Sequence, residues 1–395
     1  MCRLTYVMKE WTHTFDPSGT STERLERQLA ELQSRAALSP EDSAQLVDTL
    51  IVLSSALTHS DMPRAIAVAE EAHSLSCRLP RPYTAATCLV RLSWLHLQSG
   101  AFETALLEAR EALFFGEQLK DYGLVTSATY VLTSAQQLAG NYAKAENGWQ
   151  SLLDKAREHQ DRAREADFLL CLGILHQEQN DFRRTLDYKL RAHNIYARIG
   201  DINHIAAKNN VAFALTKLGQ DENALSWATR ALASCQENWH DWRAMILHTL
   251  GTAHMNLRQY GQAEDCLREG LALSAKSAGR KYTSAQILLD MAKVELVNNK
   301  MPAAFDMLEQ VTNLAKEAHI LHLEAEAYHA LFRLYALLHV HDQADEYHDQ
   351  FLRCKNQIVR KRMERQVSFI RVDAEAARRE PAWLSAWAQE NKRVL

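Results

Sequence analysis

Glycine and proline are scarce in this chain, 13 and 7 among 395 residues. So few breakers leave little room for the frequent tight turns that a strand-rich fold requires, and they favour long helices. Charge of one sign is also missing. Lys and Arg number 45 against 49 Asp and Glu, a net charge of −4, so there is no basic footprint of the kind that nucleic-acid binders carry, and no such partner is expected. No run of about 18 apolar residues occurs, and the first fifteen residues, MCRLTYVMKEWTHTF, contain no apolar core of a signal peptide. The expectation is a soluble, cytoplasmic protein with no membrane partner. The seven cysteines are odd in number and scattered, mostly inside apolar helical runs, which suits buried free thiols better than a disulfide framework. Phosphate-binding loops, a Gly-x-Ser-x-Gly elbow and a Cys-x-x-Cys pair are all absent. Neither catalytic residues nor a cofactor is expected.

What the chain does have is a period. Ala65, Ala105, Ala145, Thr185, Ala224, Ala263, Ala304 and Ala344 recur at intervals of 39 to 41 residues. A small residue at that spacing marks a helical repeat array, in which each unit buries its apolar face by stacking on the next. The second unit, LVRLSWLHLQSGAFETALLEAREAL, shows the pattern: a first helix (A) ending at Gly100, a left-handed C-cap candidate, then a tight turn and a second helix (B) entered through Phe102 and Ala105. A small anchor lets B approach A closely. The turn recurs at Gly140-Asn141-Tyr142, Asn180-Asp181-Phe182, Gly219-Gln220-Asp221 and Arg258-Gln259-Tyr260, then degrades to Asn299-Lys300-Met301-Pro302 and His339-Val340-His341. Ahead of the array, Thr20 and Glu23 form a capping-box pattern, and Ser39-Pro40 reads as an N-cap followed by proline at the first helical position.

The segments GAFETA, GNYAKA, NDFRRT and RQYGQA, with Leu172-Gly173 and Leu250-Gly251 twelve to thirteen residues before their anchors, resemble tetratricopeptide repeats. The resemblance covers residues 44–355. The period exceeds the usual ~34 residues of that family, and the longer form is similar to the sensor arrays of bacterial signalling proteins. It implies an all-α, right-handed solenoid of about eight repeats whose A helices line a concave groove. The expected division is 1–43 as an N-terminal segment and helix, 44–355 as the array, and 356–395 as a terminal helix and Trp-containing tail.

In such an array, fixed offsets before each anchor point into the groove. They select Arg91, Trp94, Tyr130, Asn209, Asn210, Phe213, His248 and Asp290 as candidate partner-binding residues, and Lys217 on the same helix as Phe213 joins the set. Lys208-Asn209-Asn210-Val211 is similar to the Asn-containing segment with which peptide-binding members clamp a ligand backbone, since a carboxamide donates and accepts at once. Here that Asn occurs in one repeat rather than as a ladder, and a helix-surface or inter-repeat hydrogen bond is the competing reading. The aromatics Trp94, Tyr130 and Phe213 are either groove contacts or core packing between neighbouring A helices. His319, His322, His339, His341 and His348 invite a metal reading, yet no third or fourth ligand completes one, and no metal is expected.

After the array a helix is expected over roughly 355–380. Met363, Val367, Ile370, Ala374 and Ala377 make a short heptad seam on it, beside the run Arg360, Lys361, Arg362, Arg365 that reads as a solvated face. The seam serves either homodimerisation, through Met363, Val367 and Ile370, or as a cap on the last repeat. Trp383, Leu384 and Trp387 share an apolar face beyond Pro381. The function expected is a non-enzymatic scaffold or adaptor that holds a peptide or protein segment in the groove, in bacterial signalling or regulation. The alternatives are a ligand-responsive sensor acting on a separate output protein through the terminal helix, and an enzyme with a site around His248 or Asp290.

Overall fold

A computed structural model describes residues 22–34, 39–58, 60–79, 81–276 and 281–376. The first capping-box residue, Thr20, and the tail residues Ala377, Trp383, Leu384 and Trp387 lie outside them. All secondary structure among the described residues is helical. A single leading helix, α1 (Thr22–Gln33), precedes eight helix pairs. The pairs are α2 (Pro40–Leu57) with α3 (Met62–Ser76), α4 (Pro82–Ser99) with α5 (Phe102–Gln118), α6 (Tyr122–Leu138) with α7 (Tyr142–Glu158), and α8 (Arg162–Glu178) with α9 (Phe182–Arg198). Then come α10 (Asn203–Lys217) with α11 (Asp221–Ala233), α12 (His240–Asn256) with α13 (Tyr260–Ser274), α14 (Lys281–Val297) with α15 (Met301–Glu317), and α16 (Leu321–Leu337) with α17 (His341–Ala376). The fold is an α-solenoid type of architecture built from tetratricopeptide-like hairpins. Seven of the eight anchors have no exposed surface, and Ala344 is 4% exposed.

The regularity comes from the turns. Residues 120, 140, 160, 180, 200, 219, 258, 299, 319 and 339 all have positive φ. At each, two backbone bonds close the preceding helix. Around Gly140, for example, its own amide donates to the Gln137 carbonyl (2.9 Å) and the next amide, of Asn141, to that of Gln136 (2.9 Å). This is the Schellman motif. Except at Gly200, where Ile202 is the N-cap, the residue after the left-handed one is already at the N-cap position of the next helix, and its carbonyl accepts from the residue four on, as Asn141 does from Ala145 (3.0 Å). Where that residue is Asp the side chain caps as well: Asp121, Asp161 and Asp181 accept from the amides of Leu124, Arg164 and Arg184. Two linking residues thus serve both helix ends, and α5 to α9, α12 and α14 to α16 all run 17 residues. The link between α11 and α12 is different. It is longer, and Trp239 and Trp242 fill it, ring centroids 5.5 Å apart and both buried.

Ser39 caps α2 as the sequence suggests, with the reciprocal Asp42 bond of a capping box. The helix expected from about Lys355 begins instead at His341, because no glycine or proline interrupts 341–376 and helix B of the last pair simply continues. The chain forms two compact units. One holds α1 to α6, α7 as far as Leu152, and α17 from Arg362; the other spans 153–361. In the first unit the end of α17 packs on the tips of the α4–α5 and α6–α7 hairpins. Phe369 and Val372 are buried, and Phe369 meets Phe102 edge-on at 5.5 Å. Arg365 donates to the Leu138 carbonyl and Gln366 to that of Ala139 (both 3.0 Å), supplying partners at the C-terminal end of α6. Glu103 accepts from Ser368 and Arg371, and Arg110 pairs with Asp373. Arg365 is therefore half-buried rather than part of a solvated face, and burial pulls its pKa down.

Candidate functional site

The A helices differ in how they are clothed. α4 and α6 in the first unit, and α8 in the second, are buried nearly all round. Arg91 is 1% exposed; its guanidinium donates to the Ser54 carbonyl (2.8 Å), the Ser54 hydroxyl (3.2 Å) and the Thr58 hydroxyl. Burial lowers its pKa to about 9. Trp94 and Tyr130 are 2% and 1% exposed, with ring centroids 5.7 Å apart, and Tyr130 meets Trp149 edge-on at 5.0 Å. Trp149 in turn donates its indole N–H to Gln137 (2.9 Å). These three candidates stand in the interior, where they tie adjacent hairpins together. A partner could not reach them with the helices packed as they are.

In the second unit the successive A helices α10, α12 and α14 lie side by side and keep polar side chains partly open. His248 and Asp290, chosen from the sequence by their offset, come together there with two further side chains. Asp290 on α14 accepts from His248 Nε2 (3.1 Å) and the Thr252 hydroxyl (3.0 Å), both on α12, and from Lys293 Nζ (2.6 Å) on its own helix. Thr252 and Lys293 sit eleven residues before their anchors, so the same periodicity finds them. Burial pushes the Asp290 carboxyl up, but the His248 imidazole and the Lys293 ammonium more than offset it, and the group stays well below the usual carboxylate range. Asp290 is the least accessible member, with a side chain 10% exposed, whereas Lys293 is 54% exposed. A carboxylate that accepts three hydrogen bonds thus fixes the histidine and a half-open ammonium whose remaining N–H groups are available to an acceptor on a ligand. The Thr252 hydroxyl lies within hydrogen-bond reach of both the Asp290 carboxylate (3.0 Å) and the His248 backbone carbonyl (2.9 Å).

One helix over, Phe213 on α10 lies between two ammonium groups, Lys189 and Lys217, each 5.3 Å from its ring centroid. Lys189 is 2% exposed and donates to Gln177 (2.6 Å). Nothing in its sequence context distinguishes this Lys from a surface residue of helix B. Asn209 is buried, and its side-chain oxygen accepts no hydrogen bond. Asn210 beside it is partly open. An unpaired buried acceptor is costly and calls for a reason.

The remaining histidines disperse. His322 lies against Tyr282 and His348 against Phe332, while the His339 and His341 rings are 6.3 Å apart. Among the described residues no three His, Cys, Asp or Glu side chains are placed to share a metal ion. No described helix is long and apolar enough to cross a membrane. Met363, Val367 and Ile370 are 61%, 46% and 69% exposed, on the side of α17 away from its packed face.

No family model matches the chain, and no curated protein matches it. Solved structures similar to it include a Rap protein complexed with competence and sporulation factor, at 13% identity over 86% of this chain and 99% of that one, TM-score 0.49. A tetratricopeptide repeat protein from Parabacteroides merdae is 14% identical over 76% of this chain and 99% of its own, TM-score 0.46. BtubC (BKLC) from P. vanneervenii is 21% identical over 64% and 91%, TM-score 0.43.

Proposed function

We propose that the chain is a non-enzymatic binding scaffold that holds a peptide or protein segment on the A-helix face of α10, α12 and α14. The observation that carries this reading is the convergence of His248, Thr252 and Lys293 on Asp290 from two consecutive repeats. Such a cluster is rigid before any ligand arrives, so little side-chain entropy remains to be lost on binding. Lys293 offers hydrogen-bond donors to a carbonyl or carboxylate of the bound segment. Phe213 offers a ring and Asn210 a carboxamide that matches a peptide unit. The sequence resemblance to sensor arrays supports a place in bacterial signalling or regulation, in the cytoplasm, with no cofactor.

A peptide library displayed on phage and selected on the wild-type chain tests this directly. Enriched peptides should share an acidic residue or a free C-terminus, and should lose most of their affinity on Lys293→Glu and on Asn210→Ala. If no sequence is enriched, or if enriched peptides bind both variants as well as the wild type, the site is wrong. A second reading, a sensor that signals through α17, draws support from the way its end is held. Glu103, Arg110 and Tyr142 contact it mainly through ion pairs and hydrogen bonds around a small apolar centre.

A further inference from the structure

Within the second unit, the B helices α9 and α11 and the helix α10 between them bring together cations that have no carboxylate to pair with. His204 and Lys208 lie one turn apart on α10. They precede Phe213 and Lys217 by nine residues each, and so occupy the opposite face of that helix. The Lys208 ammonium donates to the Ser234 hydroxyl (3.0 Å), which donates in turn to the Arg230 carbonyl (2.8 Å). Two ammonium N–H groups remain. The Arg230 guanidinium lies over the Trp227 ring, 5.3 Å from its centroid, and His193 of α9 meets the same ring edge-on at 5.0 Å. Other cations on these and the following helix have acidic partners: Arg184 has Asp181, Arg191 has Asp187 and Arg243 has Glu269. Lys208 and Arg230 have none among the described residues.

Both histidines are held in one tautomer. Nδ1 of His193 faces the His204 carbonyl (3.3 Å), and Nδ1 of His204 faces the Asp201 carbonyl (2.7 Å). A carbonyl only accepts, so Nδ1 carries the proton, and Nε2 of the neutral ring is a bare lone pair. Burial keeps both rings below the usual imidazole pKa. Lys208, His204 and Arg230 add to this at His193, against its hydrogen bond to the His204 carbonyl, and Lys208 adds to it at His204. Burial and the Arg230 charge also lower Lys208. The other titratable neighbour, Cys235, is pushed by burial to about 11 and is neutral. No carboxylate acts on either ring; that of Asp201 is buried and accepts from the Asn203 amide (2.8 Å).

We infer that this cluster binds a phosphate-type dianion, with Lys208 and Arg230 supplying fixed charge and Nε2 of His193 and of His204 taking up protons as the anion arrives. A tetrahedral dianion accepts from several directions, whereas a planar carboxylate brings half the charge and is satisfied by one bidentate partner. His193, 8% exposed, stands deepest, and the exposed Arg230 stands at the rim. The phosphate belongs either to a free phosphomonoester or to a phosphorylated side chain of a partner. Lying on the opposite face of α10, this site is independent of the one proposed for α10, α12 and α14.

Isothermal titration calorimetry of the full chain with sulfate and with phenyl phosphate gives the test. Sulfate keeps its charge throughout the histidine range, so any pH dependence of its binding belongs to the protein. Its affinity should rise about tenfold or more from about pH 8 to about pH 6, with a heat that varies with the ionisation enthalpy of the buffer. Arg230→Gln and Lys208→Gln should each weaken both anions about tenfold while the helical circular dichroism is unchanged. His204→Gln should flatten the pH dependence. A pool of phosphoserine peptides, with the unphosphorylated pool as control, separates the two sources. Tighter binding than phenyl phosphate assigns the site to a phosphorylated segment, and equal binding assigns it to a small phosphate ester. Absence of binding at millimolar anion overturns the site. So does binding indifferent to Arg230→Gln, or sulfate affinity that is flat or rises with pH.

Discussion

Seven of the left-handed turn positions carry residues with a β-carbon and an exposed side chain, among them Lys120 (φ 51°), Gln160 (φ 55°) and Arg258 (φ 60°). Their counterparts at 140, 200 and 219 are glycine. The β-carbon of an L-residue in this conformation costs about 1–2 kcal/mol through its clash with the following carbonyl. Glycine removes that clash but widens the unfolded ensemble, which returns about 0.4–1 kcal/mol. Each of Lys120→Gly, Gln160→Gly and Arg258→Gly is therefore expected to stabilise the fold by about 0.5–1 kcal/mol. The turns share no partners, so the triple variant should gain about 2 kcal/mol. Thermal unfolding followed by circular dichroism reads this as a rise of about 1–3 °C per site, given the chain length. Lys120→Ala is the decisive control. It removes the same side-chain atoms beyond Cβ but keeps the clash, and should not stabilise. If the glycine variants melt at or below the wild type, or if alanine matches glycine, the turns are not the strained elements described here.

Asp290→Asn breaks the charged half of the His248–Lys293 cluster and should cost about 3 kcal/mol near neutral pH. Because the folded carboxyl lies below its unfolded value, its contribution is present above about pH 4 and is lost as pH falls further, so wild type and variant should converge in acid melts. Glu111 behaves oppositely. Burial, and then the neighbouring Glu108 carboxylate, raise it to about 7. Its favourable contribution is complete below about 4.5 and disappears as pH rises through 7, so Glu111→Gln should raise the melting temperature at pH 8 and leave it unchanged at pH 4. Glu103→Arg places like charge against Arg371. Both side chains are well exposed, so global stability should move by about 1 kcal/mol or less, while amide exchange over 362–374 should quicken several-fold.

The repeat architecture was legible because it is written in small residues at a fixed period. Each anchor must be small for two helices to cross, and that need shows in any register. The turns inside the repeats were legible from the period even where they carry Arg258 or His339, and those between repeats were missed at Lys120, Gln160 and His319, where backbone hydrogen bonding imposes the left-handed conformation on residues that do not advertise it. At the candidate site the offset rule found His248 and Asp290, because adjacent A helices repeat the same geometry. It could not separate these from Arg91, Trp94 and Tyr130 at matching offsets, since whether an A helix is open or enclosed depends on what packs over it. The docking of α17 beside Glu103 and Tyr142 joins residues more than 200 positions apart, and no local pattern announces it.

The turns leave no spare length. Because one residue closes a helix and the next already opens the following one, a single insertion or deletion cannot be absorbed in a loop. It must either shift a helix face by about 100°, turning anchors out of the crossing, or undo a Schellman pair. At the regular turns a change of length is therefore expected to be tolerated only as gain or loss of a whole hairpin, whereas longer links such as 77–81 and 234–239 escape the constraint. Within the latter the exposed Gln236, Glu237 and Asn238, ahead of the buried Trp239, are the place to insert a tag, a fluorophore or a foreign domain.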